Sequence, residues 1–290
     1  MGSLSFLPVN TNQTHMKKIS LLLLLFLSFV SCKKEEEERN IWYEETSFVF
    51  HSRECKYMWA FNVSKTEKPY YGITTIENEY IGSKQSVSVQ NYTLEFTSCN
   101  VGMDAIVYDN FNYKEAYDSG DEEILFRIPV YRALWHRDNP MQDAPDKIIE
   151  AKLSAYFNKQ KTTRMWIECV DYRTTPIKDI KITASADIND VKAGESLNKQ
   201  FLVDGYPSYH NFIITSNKDL ITDPKKISDI TIDRYLYNSP MAPAAMIFRF
   251  VDDFDIKAPV ETTFTVEITT LDGHVLKSET PLVTLTPRAK

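Results

Sequence analysis

Carboxylate clusters are the first residues whose spacing could do chemistry. Asp118-Ser119-Gly120-Asp121-Glu122-Glu123 sets several carboxylates around a glycine, and Asp252-Asp253-Phe254-Asp255 offers a second group. A hard cation such as calcium asks for roughly six to eight oxygen ligands on a curved loop. Asp118, Asp121, Asp252, Asp253 and Asp255 are therefore the candidate metal ligands, in loops that lack the EF-hand register. The plainer account is a pair of charged turns that keep strand ends soluble.

Signatures of nucleophilic or phosphate chemistry do not occur. The sequence holds no Gly-x-Ser-x-Gly, no His-Glu-x-x-His and no Gly-x-x-x-x-Gly-Lys. His51, His136, His210 and His274 stand too far apart to make a local metal pair. His274 follows Asp272-Gly273 and reads as a solvated turn residue; His136, in Trp135-His136-Arg137-Asp138, reads as a surface residue at a strand end. No catalytic residue is singled out and no cofactor is expected. Scattered carboxylates could still meet in a cleft, since a glycoside hydrolase needs only two of them about 5–9 Å apart.

The chain carries 16 Tyr, 16 Phe and 4 Trp. Most should face the core or pair across strands. Three groups fall among turn-like residues: Tyr70-Tyr71, the run from Tyr108 to Tyr117, and Gly205-Tyr206-Pro207-Ser208-Tyr209-His210. A tyrosine offers an apolar face and a polar tip, which suits a sugar or a protein partner. Tyr108, Phe111, Tyr113 and Tyr117, interleaved with Asp and Asn, are the candidate binding residues; the competing account is that these rings plug one end of the fold.

Of the four cysteines, Cys55, Cys99 and Cys169 lie in the body of the chain, with no CxxC spacing for zinc or redox work. An oxidising compartment permits one disulfide among them, with the pairing open. Three buried thiols acting as small hydrophobes is the equal alternative.

The elements that must position these residues are mostly strands. Ser86–Val89 leads into Tyr92, Leu94 and Phe96 alternating with Thr93, Glu95 and Thr97, which predicts a half-buried strand. Further strands are predicted at 124–131, 165–170, 177–183, 212–215, 230–232 and 246–251. Phe264, Val266 and Ile268 alternate with Thr265, Glu267 and Thr269, and Asp272-Gly273 predicts a type I′ hairpin into Val275-Leu276. Leu282, Val283 and Leu285 suggest a last strand. Asp146 is positioned to cap one helix over Lys147 to Phe157, with Ile148, Ile149, Leu153 and Tyr156 inward. Many short strands separated by turn signals predict a mainly β fold: an antiparallel β-sandwich, immunoglobulin-like or related, with few helices. Arg173-Thr174-Thr175-Pro176 marks a break, so the β-rich part divides into 41–174 and 175–290, with two β domains as the alternative to one sandwich.

Composition narrows the function classes. With 43% hydrophobic and 25% charged residues the bulk is globular. Lys and Arg number 33 against 40 Asp and Glu, and the net charge of −7 with no basic tract excludes a nucleic-acid partner. At the N-terminus, Met16-Lys17-Lys18 precedes an apolar run from Ile19 to Val30, interrupted only by Ser20 and Ser28, that ends at Ser31-Cys32. The run is shorter than the roughly 20 residues a membrane span needs. Residues 1–15 read as an upstream extension, with Met16 as the start. Lys33-Lys34-Glu35-Glu36-Glu37-Glu38 is too charged to bury and reads as a solvated tether over 32–40.

The order Lys-Lys, apolar run, Ser31-Cys32 resembles a bacterial lipobox, with Phe29 where the usual pattern prefers Leu. The resemblance implies cleavage after residue 31 and acylation of Cys32. The Lys33–Glu38 run resembles the surface-export signal of Bacteroidetes lipoproteins, which implies outer-membrane anchoring and display at the cell surface. The stretch from Ile177 through Ala193-Gly194-Glu195-Ser196-Leu197 to Asp272-Gly273 resembles uncharacterised Bacteroidetes lipoproteins, and implies a class of protein without a catalytic motif. The expectation is a lipid-anchored, surface-exposed, non-catalytic binding or structural module for a glycan, protein or envelope partner. A secreted carboxylate-dependent glycoside hydrolase is the alternative.

Overall fold

A computed structural model describes residues 48–70, 73–108, 111–112, 114–115, 143–159, 168–205 and 212–289. Phe50–Lys161 and Cys169–Lys290 make up one compact unit; the other unit, Met1–Val49 with Thr162–Glu168, lies almost entirely outside the described residues. The first strands are β1 (Phe48–Arg53), β2 (Tyr57–Tyr70), β3 (Ile73–Tyr80), β4 (Ser86–Ser88), β5 (Tyr92–Cys99), β6 (Val107–Tyr108) and β7 (Phe111–Asn112). Helix α1 (Lys147–Lys159) precedes β8 (Glu168–Arg173), β9 (Ile177–Ala184), β10 (Phe201–Gly205), β11 (Ile213–Ile214) and β12 (Leu220–Ile221). Then come α2 (Pro224–Ile227), β13 (Ile230–Thr231), α3 (Ile232–Tyr237), β14 (Ala245–Phe250), β15 (Val260–Thr262), β16 (Phe264–Thr270), β17 (Val275–Glu279) and β18 (Val283–Thr286).

The fold is mainly β and packs as a sandwich. One layer is a six-stranded antiparallel sheet in the order β13-β10-β14-β5-β2-β3. The other is made of two three-stranded sheets, β17-β16-β9 and β15-β18-β4, the last containing a parallel β18–β4 pair. Leu94, Phe96, Phe201, Met246 and Phe248 of the first layer bury against Ile180, Ile182, Phe264, Val266, Ile268, Val283 and Leu285 of the second. Aromatic rings stitch the layers, with Tyr92 at 5.2 Å and Phe201 at 5.9 Å from Phe264. Apolar burial of this kind is worth about 25 cal/mol per Å² removed from water.

Several expectations are refined. The six-stranded sheet takes β2, β3 and β5 from before residue 174 and β10, β13 and β14 from after it, so the regions 41–174 and 175–290 share one core. Strand β5 is not half-buried: all eight residues are buried, because it lies inside the sheet and both its faces are covered. Asp146 does cap α1, accepting from the amides of Ile148 and Ile149 at 3.1 and 3.3 Å. Its inward residues are Ile149, Leu153 and Phe157, a strict i, i+4 stripe, while Ile148 is exposed. Residue 232 opens a helix rather than continuing a strand, because the Thr231 hydroxyl accepts from Arg234 N at 3.2 Å.

The β16–β17 hairpin also differs from the type I′ expectation. Its loop is Leu271-Asp272-Gly273. Gly273 N donates to Thr270 O at 3.0 Å, Thr270 N donates to His274 O at 2.8 Å, and Gly273 alone in the loop has positive φ, at 90°. That is a type I turn closed by a bulge with glycine in the left-handed region. The strand predicted at 124–131 lies outside the described residues, as do residues 165–167 of the strand that begins at Glu168. No helix among the described residues is long and apolar enough to cross a membrane.

Candidate functional site

Three segments far apart in sequence meet around an open groove of about 790 Å³. One wall is the β1–β2 connection, Glu54-Cys55-Lys56; the floor is Thr174-Thr175-Pro176; the other wall is the hairpin from Thr270 to Leu276. Cross-links hold the walls. Cys55 N donates to the Thr175 hydroxyl at 2.8 Å, Leu271 N donates to Pro176 O at 2.9 Å, and Ala60 N donates to the Ser278 hydroxyl at 2.9 Å.

The groove's polar groups have defined states. Lys56 Nζ lies 2.8 Å from Glu54 Oε2, so these two charges offset each other at an exposed rim. The Thr270 hydroxyl donates to the Asp272 carboxylate and holds it below the usual carboxylate range. His274 Nε2 stands 3.6 Å from Asp272 Oδ2 and its side chain is solvated, as expected of a turn residue. Thr270, Asp272 and His274 do not make a nucleophile–base relay, because the hydroxyl bonds the carboxylate and not the imidazole. Cys55 is the groove's one thiol, and burial pushes it up to about 11, which keeps it protonated and unreactive at neutral pH.

Near the groove, strands β1 and β8 carry a sealed polar seam, with His51 and Arg53 on one strand and Asp171 and Arg173 on the other. Arg53 Nε approaches Asp171 Oδ1 at 3.5 Å and its Nη1 donates to Asn100 Oδ1 at 3.2 Å. Arg173 Nε donates to Ser98 O at 2.9 Å, its Nη1 donates to Tyr172 O at 3.3 Å, and its Nη2 lies 3.7 Å from Asp171 Oδ2. His51 Nδ1 is 3.8 Å from Asp171 Oδ1 without a hydrogen bond, and burial lowers its pKa against the pull of Asp171. With both arginines buried and bonded, the seam acts as an internal strut rather than a surface that meets a ligand.

The predicted site residues are scattered relative to this groove. Tyr108 and Phe111 pair across the short β6–β7 hairpin, described for the backbone alone. Tyr113, Tyr117, Asp118 and Asp121 lie outside the described residues, as do Cys32 and the tether Lys33–Glu38. Two of the candidate cation ligands, Asp252 and Asp255, are engaged within the chain. Asp252 turns to Arg249 at 2.6 Å, while Asp255 accepts from the amides of Ile256 and Arg288, both at 2.8 Å. Among the described residues no group of three or more His, Cys, Asp or Glu is placed to hold a metal ion. Sequence reasoning missed Glu54, Thr174 and Thr175 as groove residues. No local signal marks them, since their neighbours across the groove are about a hundred residues or more away along the chain.

No family model matches the chain, and no curated protein matches it. Among solved structures it has a weak likeness to the crystal structure of BcpA, the major pilin subunit of Bacillus cereus. That likeness has 7% identity over 83% of this chain and 69% of that one, at a TM-score of 0.16, and it carries no argument about this protein.

Proposed function

We propose that the chain is a lipid-anchored, surface-displayed lipoprotein that uses its β-sandwich to bind a partner rather than to turn over a substrate. What carries the reading is the order Met16-Lys17-Lys18, apolar run, Ser31-Cys32 and acidic tether ahead of a sandwich whose first strand is Tyr57–Tyr70. The groove supports the binding half: an open cleft with paired or hydrogen-bonded charges and a protonated thiol is equipped to hold a ligand, not to activate one.

The glycoside hydrolase reading has one observation in its favour, that Glu54 and Asp272 both line the groove. A general acid needs a raised pKa, and Asp272 is shifted the other way. Burial does push one carboxyl, Glu95, up to about 8, but that residue is 3% exposed and does not line the groove.

Labelling of the full chain with a fatty acid analogue tests the anchor. Cys32→Ala should abolish the label, and unchanged labelling would sink the proposal. Protease digestion of intact cells tests display: replacing Glu35 to Glu38 by Ala should protect the protein from the protease. Turnover of an aryl glycoside that disappears in Glu54→Gln would favour the hydrolase instead.

A further inference from the structure

The hairpin wall of the groove is also an open strand edge. Thr270 N donates to His274 O, and Thr280 N donates to Phe264 O, each at 2.8 Å. Antiparallel pairing alternates, so in the register Ile268↔Leu276 and Val266↔Ser278 the even-numbered residues of β17 bond β16. Val275 and Lys277 therefore turn their N–H and C=O groups away from β16. Strand β17 ends its sheet, with no strand beyond it among the described residues. An edge of this kind is a template for another extended backbone.

Side chains beside the edge say what that backbone would carry. Leu271 and Val275, 63% and 59% exposed, offer apolar surface at the groove mouth. Glu54 is offset by Lys56, and Lys277 by Glu267 at 3.2 Å, which leaves the ionised Asp272 as the carboxylate without a lysine or arginine beside it. Charge complementarity at the mouth thus favours a cation. The Ala60–Ser278 hydrogen bond draws β2 and β17 together at the far end, so the open length is short, from Val275 to Lys277.

We infer that the outer edge of β17 is a strand-addition site for an extended peptide of a protein partner, whose backbone pairs with Val275 and Lys277, with an apolar residue on Leu271 and Val275 and a neighbouring Lys or Arg at Asp272. This rests on the reading of the chain as a binding module and names the chemistry of its partner. Backbone hydrogen bonds give such a site its affinity, and the alternate side chains give it specificity.

The test uses the folded protein and a blocked synthetic peptide of alternating valine and lysine at millimolar concentration, with amide hydrogen exchange read residue by residue. Exchange at Val275 and Lys277 should slow by about tenfold. Protection should vanish in Lys277→Pro, which removes an outward N–H at an edge where proline is tolerated. An N-methylated peptide, which keeps the side chains but cannot pair, should give no protection and does not depend on that variant folding. Asp272→Asn should weaken the peptide by about threefold and flatten its salt dependence. Unchanged exchange at Val275 and Lys277, or equal protection by the N-methylated peptide, overturns the inference. Maltohexaose run in parallel separates the two failures. Protection of the groove by the sugar alone overturns strand addition and leaves a binding module standing; no protection by either, with Cys32 unlabelled, removes both.

Discussion

The Tyr80 hydroxyl donates to the Glu95 carboxyl at 3.0 Å, reaching from β3 to β5 past the Phe61 ring of the strand between them. Burial pushes Glu95 up to about 8 from 4.5, against the opposing pull of that hydrogen bond. The folded chain therefore keeps a proton that the unfolded chain releases between these two values. Stability contributed by this group is full below about pH 4.5 and is lost as pH rises through 8, at up to about 1.4 kcal/mol per unit. Glu95→Gln keeps an acceptor for Tyr80 and has no proton to lose. Urea unfolding from pH 4.5 to 8.5 should show the variant gaining a few kcal/mol on the parent at the alkaline end. Parallel curves would mean that Glu95 is not a buried acid.

Two arginines placed near aspartates should respond differently to the same change. Arg173 is fully buried and spends its planar fork on the Ser98 and Tyr172 carbonyls. Arg249 has a side chain 22% exposed and lies among Asp204, Asp229 and Asp252. Arg173→Lys keeps the charge but loses the fork and should cost about 3 kcal/mol. Arg249→Lys should cost under about 1 kcal/mol, because solvent and a single ammonium replace most of what it does. Thermal melts of the two variants make the comparison, and equal losses would argue that the β1–β8 seam is not a strut.

The register of β16 can be read by two adjacent substitutions. Val266 is completely buried in the sandwich, whereas Thr265 is 9% exposed on the opposite face and touches Glu279 at 3.5 Å. Val266→Asp places an unpaired charge among apolar side chains and should prevent folding or remove several kcal/mol. Thr265→Asp should cost less, though not nothing, since it brings a second carboxylate to Glu279. The reverse order in chemical denaturation would shift the strand by one residue.

Thiol chemistry gives a check on the groove wall. With Cys55 raised to about 11, its thiolate fraction near pH 8 is about a hundredfold below that of a free cysteine. Iodoacetamide should modify Cys55 in urea and leave it intact in the native protein, as peptide mass spectrometry would record. Rapid native labelling would mean that the β1–β2 connection opens.

A helix cap offers a small and clean effect. Asp146 accepts from two α1 amides and pairs with Lys218 at 2.6 Å. Asp146→Ala should lose about 1 kcal/mol, and Asp146→Asn should recover most of it because the amide oxygen still caps. If Asn is as damaging as Ala, the ion pair and not the cap secures the helix.

Local pattern was enough wherever one element settles its own shape. Alternation in Phe264-Thr265-Val266-Glu267-Ile268, the glycine after Asp272 and the aspartate before Lys147 each name their structure, to within the type of turn. It was not enough where a neighbour decides. Thr93, Glu95 and Thr97 look like the wet side of a strand, and only groups from other strands, such as Tyr80 on Glu95, make them interior. The groove is legible in no single stretch, because Glu54, Thr174 and Asp272 acquire their relation through long-range pairing of β1 with β8 and of β16 with β9. Asp252 and Asp255 looked like ligands because a sequence cannot show that Arg249 and the Arg288 amide have already claimed them.

The parallel contact of β18 with β4 joins Thr284 to Ser86 and Leu285 to Val87. A ribosome makes the two partners nearly two hundred residues apart, so β4 waits for its neighbour through most of translation. Contacts of such long reach form slowly and late. The three-stranded sheet that holds β4 therefore stays incomplete until Val283–Thr286 has been made. A chain cut before Val283 loses the partner of both β4 and β15, and leaves buried Val87 without the strand beside it, so removing the last eight residues should cost the fold far more than their number implies.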